Sequence, residues 1–200
     1  MMKIKILSLM LLSLLSAASV KNGDNAPSFN LLNQDNETVS LEEFKGKKVV
    51  LEWTNHDCPF VKRHDDSNNM QNLQRDMKNQ DIVWLSIVSS AKGKQGHITS
   101  TEAKNLTSSR KAEPAHVLLD TDGDVGRMYS AKTTPHMFLI DETGKMRYQG
   151  AIDNLGNTAA LFMTDLSKAK NYVRNAVSQL SNGEEVKEAK TRPYGCSVKY

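Results

Sequence analysis

Two cysteines, Cys58 and Cys196, supply all the thiol chemistry of this 200-residue chain, and the first stands where a thiolate is favoured. The stretch from Val49 to Arg63 reads VVLEWTNHDCPFVKR. It opens as a short apolar run rich in β-branched residues, the pattern of a buried strand. It then passes through Thr54-Asn55-His56-Asp57 to Cys58 and Pro59. Proline is favoured at the first helical position, where its missing N–H would have no intrahelical partner and its φ is already helical. Cys58 therefore sits where a strand ends and a helix begins. Unpaired backbone N–H groups and the positive end of the helix dipole stabilise a thiolate there. Lys62, Arg63 and His64 add positive charge about one turn later. This is the setting of a nucleophile. A plain structural disulfide between Cys58 and Cys196 is the competing reading, although a domain of this length buries enough core to fold without one staple.

The elements that must position Cys58 alternate along the chain. Phe29 and Leu31 mark a short strand, Asp35-Asn36 a turn, and Ser40 with Glu43 a helix start closed by Gly46. The helix that begins at Pro59 should break near Asp65-Asp66-Ser67 and resume through Met70, Leu73 and Met77, whose spacing marks one buried face. Ile82 to Val88 reads as a central strand, Ser89 to Gly96 as a surface loop, and Thr99 with Glu102 as the cap of a further helix. Val117-Leu118-Leu119 is the next strand. Asp120-Thr121-Asp122-Gly123-Asp124 opens like a calcium loop, but Ala131 stands where the bidentate Glu belongs, so it reads as a turn into a short helix. Thr134-Pro135 then precedes a β-hairpin, MFLID and MRYQG around a turn containing Gly144. A helix is expected from Asn157 to Leu180, followed by a polar, extended tail that carries Cys196. Alternating strands and helices specify one α/β domain.

The first residues carry an address. Lys3 and Lys5 precede the apolar run Ile6 to Leu15, which ends in Ser16-Ala17-Ala18. A basic start, a short hydrophobic centre and small residues read as a secretory signal peptide over residues 1–18, cut after Ala18. The run is much shorter than the ~20 apolar residues that span a bilayer. An exported, periplasmic or secreted protein follows, with a domain at 19–181 and a C-terminal extension at 182–200. Loss of Lys3 and Lys5 leaves 24 basic residues against 23 acidic ones, a balance that offers no surface for nucleic acid and none for anionic membrane.

With these motifs in hand a family resemblance emerges. The order of strand, W-x-x-x-x-C-P, helix, strand, helix, strand, short helix, T-P, hairpin and terminal helix resembles the thioredoxin superfamily. The stretch GDNAPSFNLLNQDNETVSLEEFKGKKVVLEW resembles the opening of the alkyl hydroperoxide reductase/thiol-specific antioxidant group, the redoxins or peroxiredoxins. Residues 23 to 180 carry the likeness, and the closing PYGCSVKY resembles the ending of a peroxiredoxin-like branch. The resemblance implies a thioredoxin-like fold, a central mixed sheet flanked by helices, and a redox-active, antioxidant role by thiol–disulfide exchange or peroxide reduction. It makes Cys58 the attacking thiol and Pro135 the family's cis-proline, with Thr134, Pro135 and Trp53 facing substrate. Protein thiols and disulfides or a hydroperoxide would be the substrates, an external thiol the reductant, and no cofactor is called for.

The chain departs from the family pattern at named positions. Val61 replaces the second cysteine of C-x-x-C, so the motif reads Cys58-Pro59-Phe60-Val61. Asn55 and Leu51 stand where a peroxidatic site has Thr or Ser and Pro, and Arg147 or Arg127 is the arginine available by order. A mixed disulfide on Cys58 needs a second thiol to resolve it, and Cys196 is the one within the chain; in peroxide chemistry it would condense with a Cys58 sulfenic acid. The alternative is a thioredoxin-fold binding module without turnover, or a copper-handling one. His56, Asp57 and His64 could ligate a metal with the thiolate, although Lys62 occupies the second cysteine's place in C-x-x-x-C.

Overall fold

The computed structural model describes residues 20–163 and 165–200; the signal-peptide reading falls on residues outside them. The described strands are β1 (Asn30–Asn33), β2 (Thr38–Ser40), β3 (Val49–Trp53), β4 (Val83–Val88), β5 (His116–Leu119), β6 (Thr133–Thr134), β7 (His136–Ile140), β8 (Met146–Gly150) and β9 (Cys196–Ser197). The helices are α1 (Pro59–Asp66), α2 (Asn69–Lys78), α3 (Ser100–Ser109), α4 (Asp124–Met128) and α5 (Tyr172–Ser181). A seven-stranded mixed sheet runs in the order β2-β1-β5-β4-β3-β7-β8. Its three central strands β3, β4 and β5 are parallel, while β7 and β1 flank them antiparallel. A second, two-stranded sheet joins β6 to β9.

The period-2 alternation of strand side chains divides the apolar residues between two faces. Leu51 and Trp53 of β3, Leu85 and Ile87 of β4, and Phe138 and Ile140 of β7 pack on one side with Phe29, Val125 and Tyr129. Val50, Trp84, Met137 and Leu139 point the other way and meet Met70, Leu73 and Met77 of α2 and Val173, Ala176 and Val177 of α5. The three α2 residues recur at helical spacing on one face, as the sequence predicts. Because both faces are covered, β3 is buried at all five of its residues. Its C-terminal end is therefore a rigid place from which to launch the Cys58 loop.

The break between α1 and α2 falls at Ser67 and Asn68, where Asn68 takes a left-handed conformation (φ 57°). Both expected capping boxes form, at Ser40 with Glu43 and at Thr99 with Glu102, although the first opens only a 3₁₀ turn, Leu41–Phe44. Two expectations are corrected. Of the helix expected from Asn157 to Leu180, the regular part begins only at Tyr172, after a 3₁₀ turn at Thr158–Phe162. Side-chain-to-backbone bonds compete with the helix here: Asp165 accepts from the Ser167 N–H, Asn154 from the Lys170 N–H, and Asn171 caps α5 through the Arg174 N–H. Phe162, at the end of that 3₁₀ turn, is 88% exposed. The loop after β4 is also less of a surface feature than its composition suggests. Ser89 and Ser90 are buried, and Ser89 Oγ accepts from Trp53 Nε1 (2.9 Å) while donating to Asp120 Oδ2 (2.5 Å). Asp120 in turn accepts from the N–H groups of Val125 and Gly126 at the start of α4, so its carboxylate caps a helix.

Candidate active site

Cys58 is the N-cap of α1, in extended conformation (φ −73°, ψ 123°), with Pro59 in the first turn. The loop that delivers it is held by Asn55. That side chain accepts from the Asp57 N–H (2.9 Å) and donates to the Gln95 carbonyl (3.3 Å), and the Asn55 carbonyl accepts from the Cys58 N–H. Gly96 lies so close that an added Cβ would fall 2.3 Å from the Asn55 side chain. Asn55, one of the two residues that depart from the peroxidatic pattern, is therefore the brace of the loop.

Two elements distant in sequence meet Cys58. The turn before β7 carries a cis Thr134–Pro135 peptide bond, and the Cys58 thiol donates to the Thr134 carbonyl (3.0 Å). On that turn β6 pairs antiparallel with β9, placing Cys196 opposite Thr134 and Ser197 opposite Thr133. The Cys196 N–H then points at Cys58 Sγ (3.4 Å). Cys58 is 0% exposed, whereas Cys196 is partly exposed, and both are free thiols.

The electrostatics follow from this contact. Burial alone would raise the Cys58 pKa, but hydrogen bonds from the Cys196 and Thr134 side chains and from the backbone N–H groups of Val61 and Cys196 overcome it, so the pKa is lowered. The same proximity works in reverse on the partner. Burial, and the hydrogen bond and charge of Cys58, push the Cys196 thiol up to about 12. One thiolate and one thiol is the arrangement the pair adopts first on titration.

Two of the basic residues expected to support the thiolate, Arg63 and His64, are engaged elsewhere. Arg63 donates to the Leu155 carbonyl and the Tyr194 hydroxyl. His64 is buried, and its pKa falls to about 4 because burial disfavours the imidazolium. Hydrogen bonding, not neighbouring cationic charge, lowers the Cys58 pKa. His64 is turned away into that cluster, so His56, Asp57 and His64 do not gather around the sulfur. Among the described residues no three His, Cys, Asp or Glu side chains converge as a metal-ligand group. Arg147 pairs with Asp141 across the hairpin, and the Arg127 guanidinium lies 4.7 Å above the Tyr200 ring; each is committed away from Cys58. Trp53 is corrected as well. It is 0% exposed, packed against Tyr129 and Phe138, and supports the site from beneath without facing substrate.

Sequence reading missed the residues that hold the tail. Gly150, Gly156, Gly195, Gly123 and Gly126 each mark a point where a Cβ would strike the tail or, for Gly195, where the tail meets the body. Tyr194 is the available signal, one of two tyrosines in a largely polar tail. Gly195 is the most constrained: φ is +123°, and a Cβ there would lie 2.0 Å from the Thr134 carbonyl oxygen. That neighbour is backbone and cannot swing aside. Gly195→Ala should therefore open the β6–β9 pairing. Bulky maleimide labelling of reduced Cys58 at alkaline pH, mapped by mass spectrometry, should accelerate severalfold; an unchanged rate would contradict the covering role of the tail.

Comparison with known proteins places this geometry. No curated protein matches the chain. An uncharacterized conserved protein from Geobacillus kaustophilus superposes with a TM-score of 0.77 at 24% identity, covering 90% of this chain and 92% of its own. A protein assigned as the thiol:disulfide interchange protein DsbE of Chlorobium tepidum aligns with a TM-score of 0.52 at 26% identity, over 66% of this chain and 85% of its own. The thioredoxin domain of a thiol-disulfide oxidoreductase from Bacteroides vulgatus gives 0.52 at 22% identity, over 66% and 89%. The fold is thioredoxin-like, and thiol–disulfide oxidoreductases are among its structural neighbours. The family model described as Redoxin matches residues 21–171, which take in Cys58 and the cis-proline turn and stop before α5 and the tail. This chain belongs to the Redoxin family.

Proposed function

We propose that this protein is an exported thiol–disulfide oxidoreductase in which Cys58 attacks and Cys196 resolves. The observation that carries the reading is the pairing of β9 with β6, which sets the Cys196 N–H and thiol on Cys58 Sγ. The chemistry balances as two exchanges. The Cys58 thiolate attacks one sulfur of a substrate disulfide, forming a mixed disulfide and releasing the other sulfur as thiolate. Cys196 then attacks the Cys58 sulfur, closing a Cys58–Cys196 disulfide; its proton passes to the departing substrate thiolate. Substrate gains two electrons and two protons, the second proton from water, and the enzyme loses the pair.

The difference between the two thiols gives the cycle a direction. An external thiolate reducing the enzyme meets the partly exposed Cys196 sulfur first, and Cys58, with the lower pKa, is the better leaving group. Substrate requires the opposite access. Cys58 is fully buried under β9, so the tail lifts from β6 before a substrate sulfur reaches it. Extended protein segments suit a site whose covering element is itself a strand on the Thr134 backbone. A disulfide substrate is favoured over a hydroperoxide because Asn55, Arg127 and Arg147 are each committed to other contacts.

Four measurements test this reading. Cys58→Ser should abolish reduction of a mixed-thiol model disulfide, and Cys196→Ser should accumulate the Cys58 mixed disulfide, seen as a mass increment on the intact protein; turnover surviving Cys58→Ser would sink the assignment. The pH profile of iodoacetamide modification should show Cys58 titrating below the ~8.5 of an unperturbed cysteine, because its folded pKa is depressed and the thiolate persists at lower pH. Cys196→Ala should move that midpoint upward, since burial then loses a principal offsetting donor. For export, the mature protein recovered from a bacterial host should begin at Ser19; an intact Met1 in all fractions would refute processing.

A further inference from the structure

One buried cluster is left unused by the exchange scheme. Tyr194 stands two residues before Cys196, and its hydroxyl enters a polar pocket between α1 and the segment after β8. The phenol oxygen accepts from Arg63 Nη2 (3.0 Å) and lies 3.0 Å from His64 Nε2, and its proton goes to Asp153 Oδ1 (2.5 Å). Asn69 Nδ2 lies 2.8 Å from His64 Nδ1, and Arg63 Nη2 lies 3.2 Å from His64 Nε2, so both ring nitrogens of the imidazole are held. Arg63, His64 and Asp153 are 6%, 0% and 1% exposed. The Leu155 backbone fixes two of them, its N–H donating to Asp153 Oδ1 (2.8 Å) and its carbonyl accepting from Arg63 Nη1 (2.9 Å). The ring itself lies 5.5 Å from the Phe60 ring, and a Cβ on Gly156 would fall 2.6 Å from it.

Such a cluster costs desolvation, and its return is a single permitted position for the phenol. From that anchor one glycine spans to Cys196. We propose that Tyr194 is a positioning residue: held by Arg63, His64 and Asp153, it sets the effective concentration of the Cys196 thiol at Cys58. A tail tied only by flexible chain presents a thiol at millimolar effective concentration, and fixed geometry raises this by orders of magnitude. The inference rests on the reading of Cys196 as the resolving thiol.

Equilibration of the full-length protein with reduced and oxidised glutathione measures this directly. One glutathione disulfide takes two electrons and two protons from the cysteine pair, giving two glutathione thiols and the Cys58–Cys196 disulfide, so the equilibrium constant has units of concentration. Tyr194→Phe keeps the ring and deletes the hydroxyl. It should lower that constant roughly 10- to 100-fold, the range for hydrogen bonds to charged groups. Asp153→Asn, which keeps an acceptor but not the charge, should fall between Tyr194→Phe and wild type. A purely structural role would lower the melting temperature of the reduced protein and leave the glutathione constant unmoved. A constant within about twofold of wild type in Tyr194→Phe overturns the proposal, since about tenfold is the least its hydrogen bonds imply. If that variant does not fold, the same outcome in Asp153→Asn does so. A wild-type protein that forms no Cys58–Cys196 disulfide at any glutathione ratio overturns the resolving role of Cys196 itself, and the positioning role with it.

Discussion

A two-residue strand near the chain end, Cys196–Ser197, lies on a two-residue strand beside the cis-proline turn, Thr133–Thr134, and the chemistry of the site depends on that pairing. Without it Cys58 would be an exposed N-cap cysteine in a mostly uncharged loop. With it, the sulfur is removed from water and surrounded by donors from two chain segments. The burial penalty and the hydrogen bonds act in opposite directions on the thiolate, and the hydrogen bonds win. The same contact pushes the Cys196 thiol up, so one interaction favours the thiolate at Cys58 and the thiol at Cys196.

The tail keeps this position through contacts distributed along its length. Its backbone joins the sheet edge at Gln149, where the Gln149 N–H donates to the Ala189 carbonyl and the Thr191 N–H donates back to Gln149. The Val198 N–H donates to the Lys132 carbonyl, and the Tyr200 hydroxyl to the Ala131 carbonyl. Glycines at 150, 156 and 126 allow the close approaches that these bonds require.

Behind the Cys58 loop lies a second polar cluster that braces it. Glu52 on β3 is buried and accepts from Trp84 Nε1 (2.9 Å) and Ser86 Oγ (2.8 Å); burial raises its pKa. Asp65 at the end of α1 is pushed up to about 7, burial outweighing the Arg110 guanidinium 2.6 Å away. Arg110 also donates to the His56 carbonyl (2.9 Å), tying α1, the end of α3 and the loop before Cys58 together. These groups lie on the sheet face opposite Trp53, so the active loop is supported by packing on one side and by hydrogen bonds on the other.

The sequence by itself determined the alternation of strands and helices, the two apolar faces, the α1–α2 break and the placement of Cys58 as an N-cap, because each is encoded in periodicity or capping chemistry within a few residues. The likeness of residues 23–180 to redoxins carried the fold and the cis-proline turn. It did not determine that Arg63 and His64 leave Cys58 to other donors, that Trp53 is covered, or that the stretch before Tyr172 stays out of the helix. Those outcomes turn on which partner a side chain finds across the fold, Tyr194 for Arg63 and His64, Ser89 for Trp53, Asn154 for the Lys170 backbone. The meeting of Cys58 with Cys196, 138 residues apart, belongs to the same class. Spacing along the chain gives no hint of it, because the register of a two-residue strand is fixed by backbone pairing and by close approaches at glycine, and these exist only once the tertiary structure has formed.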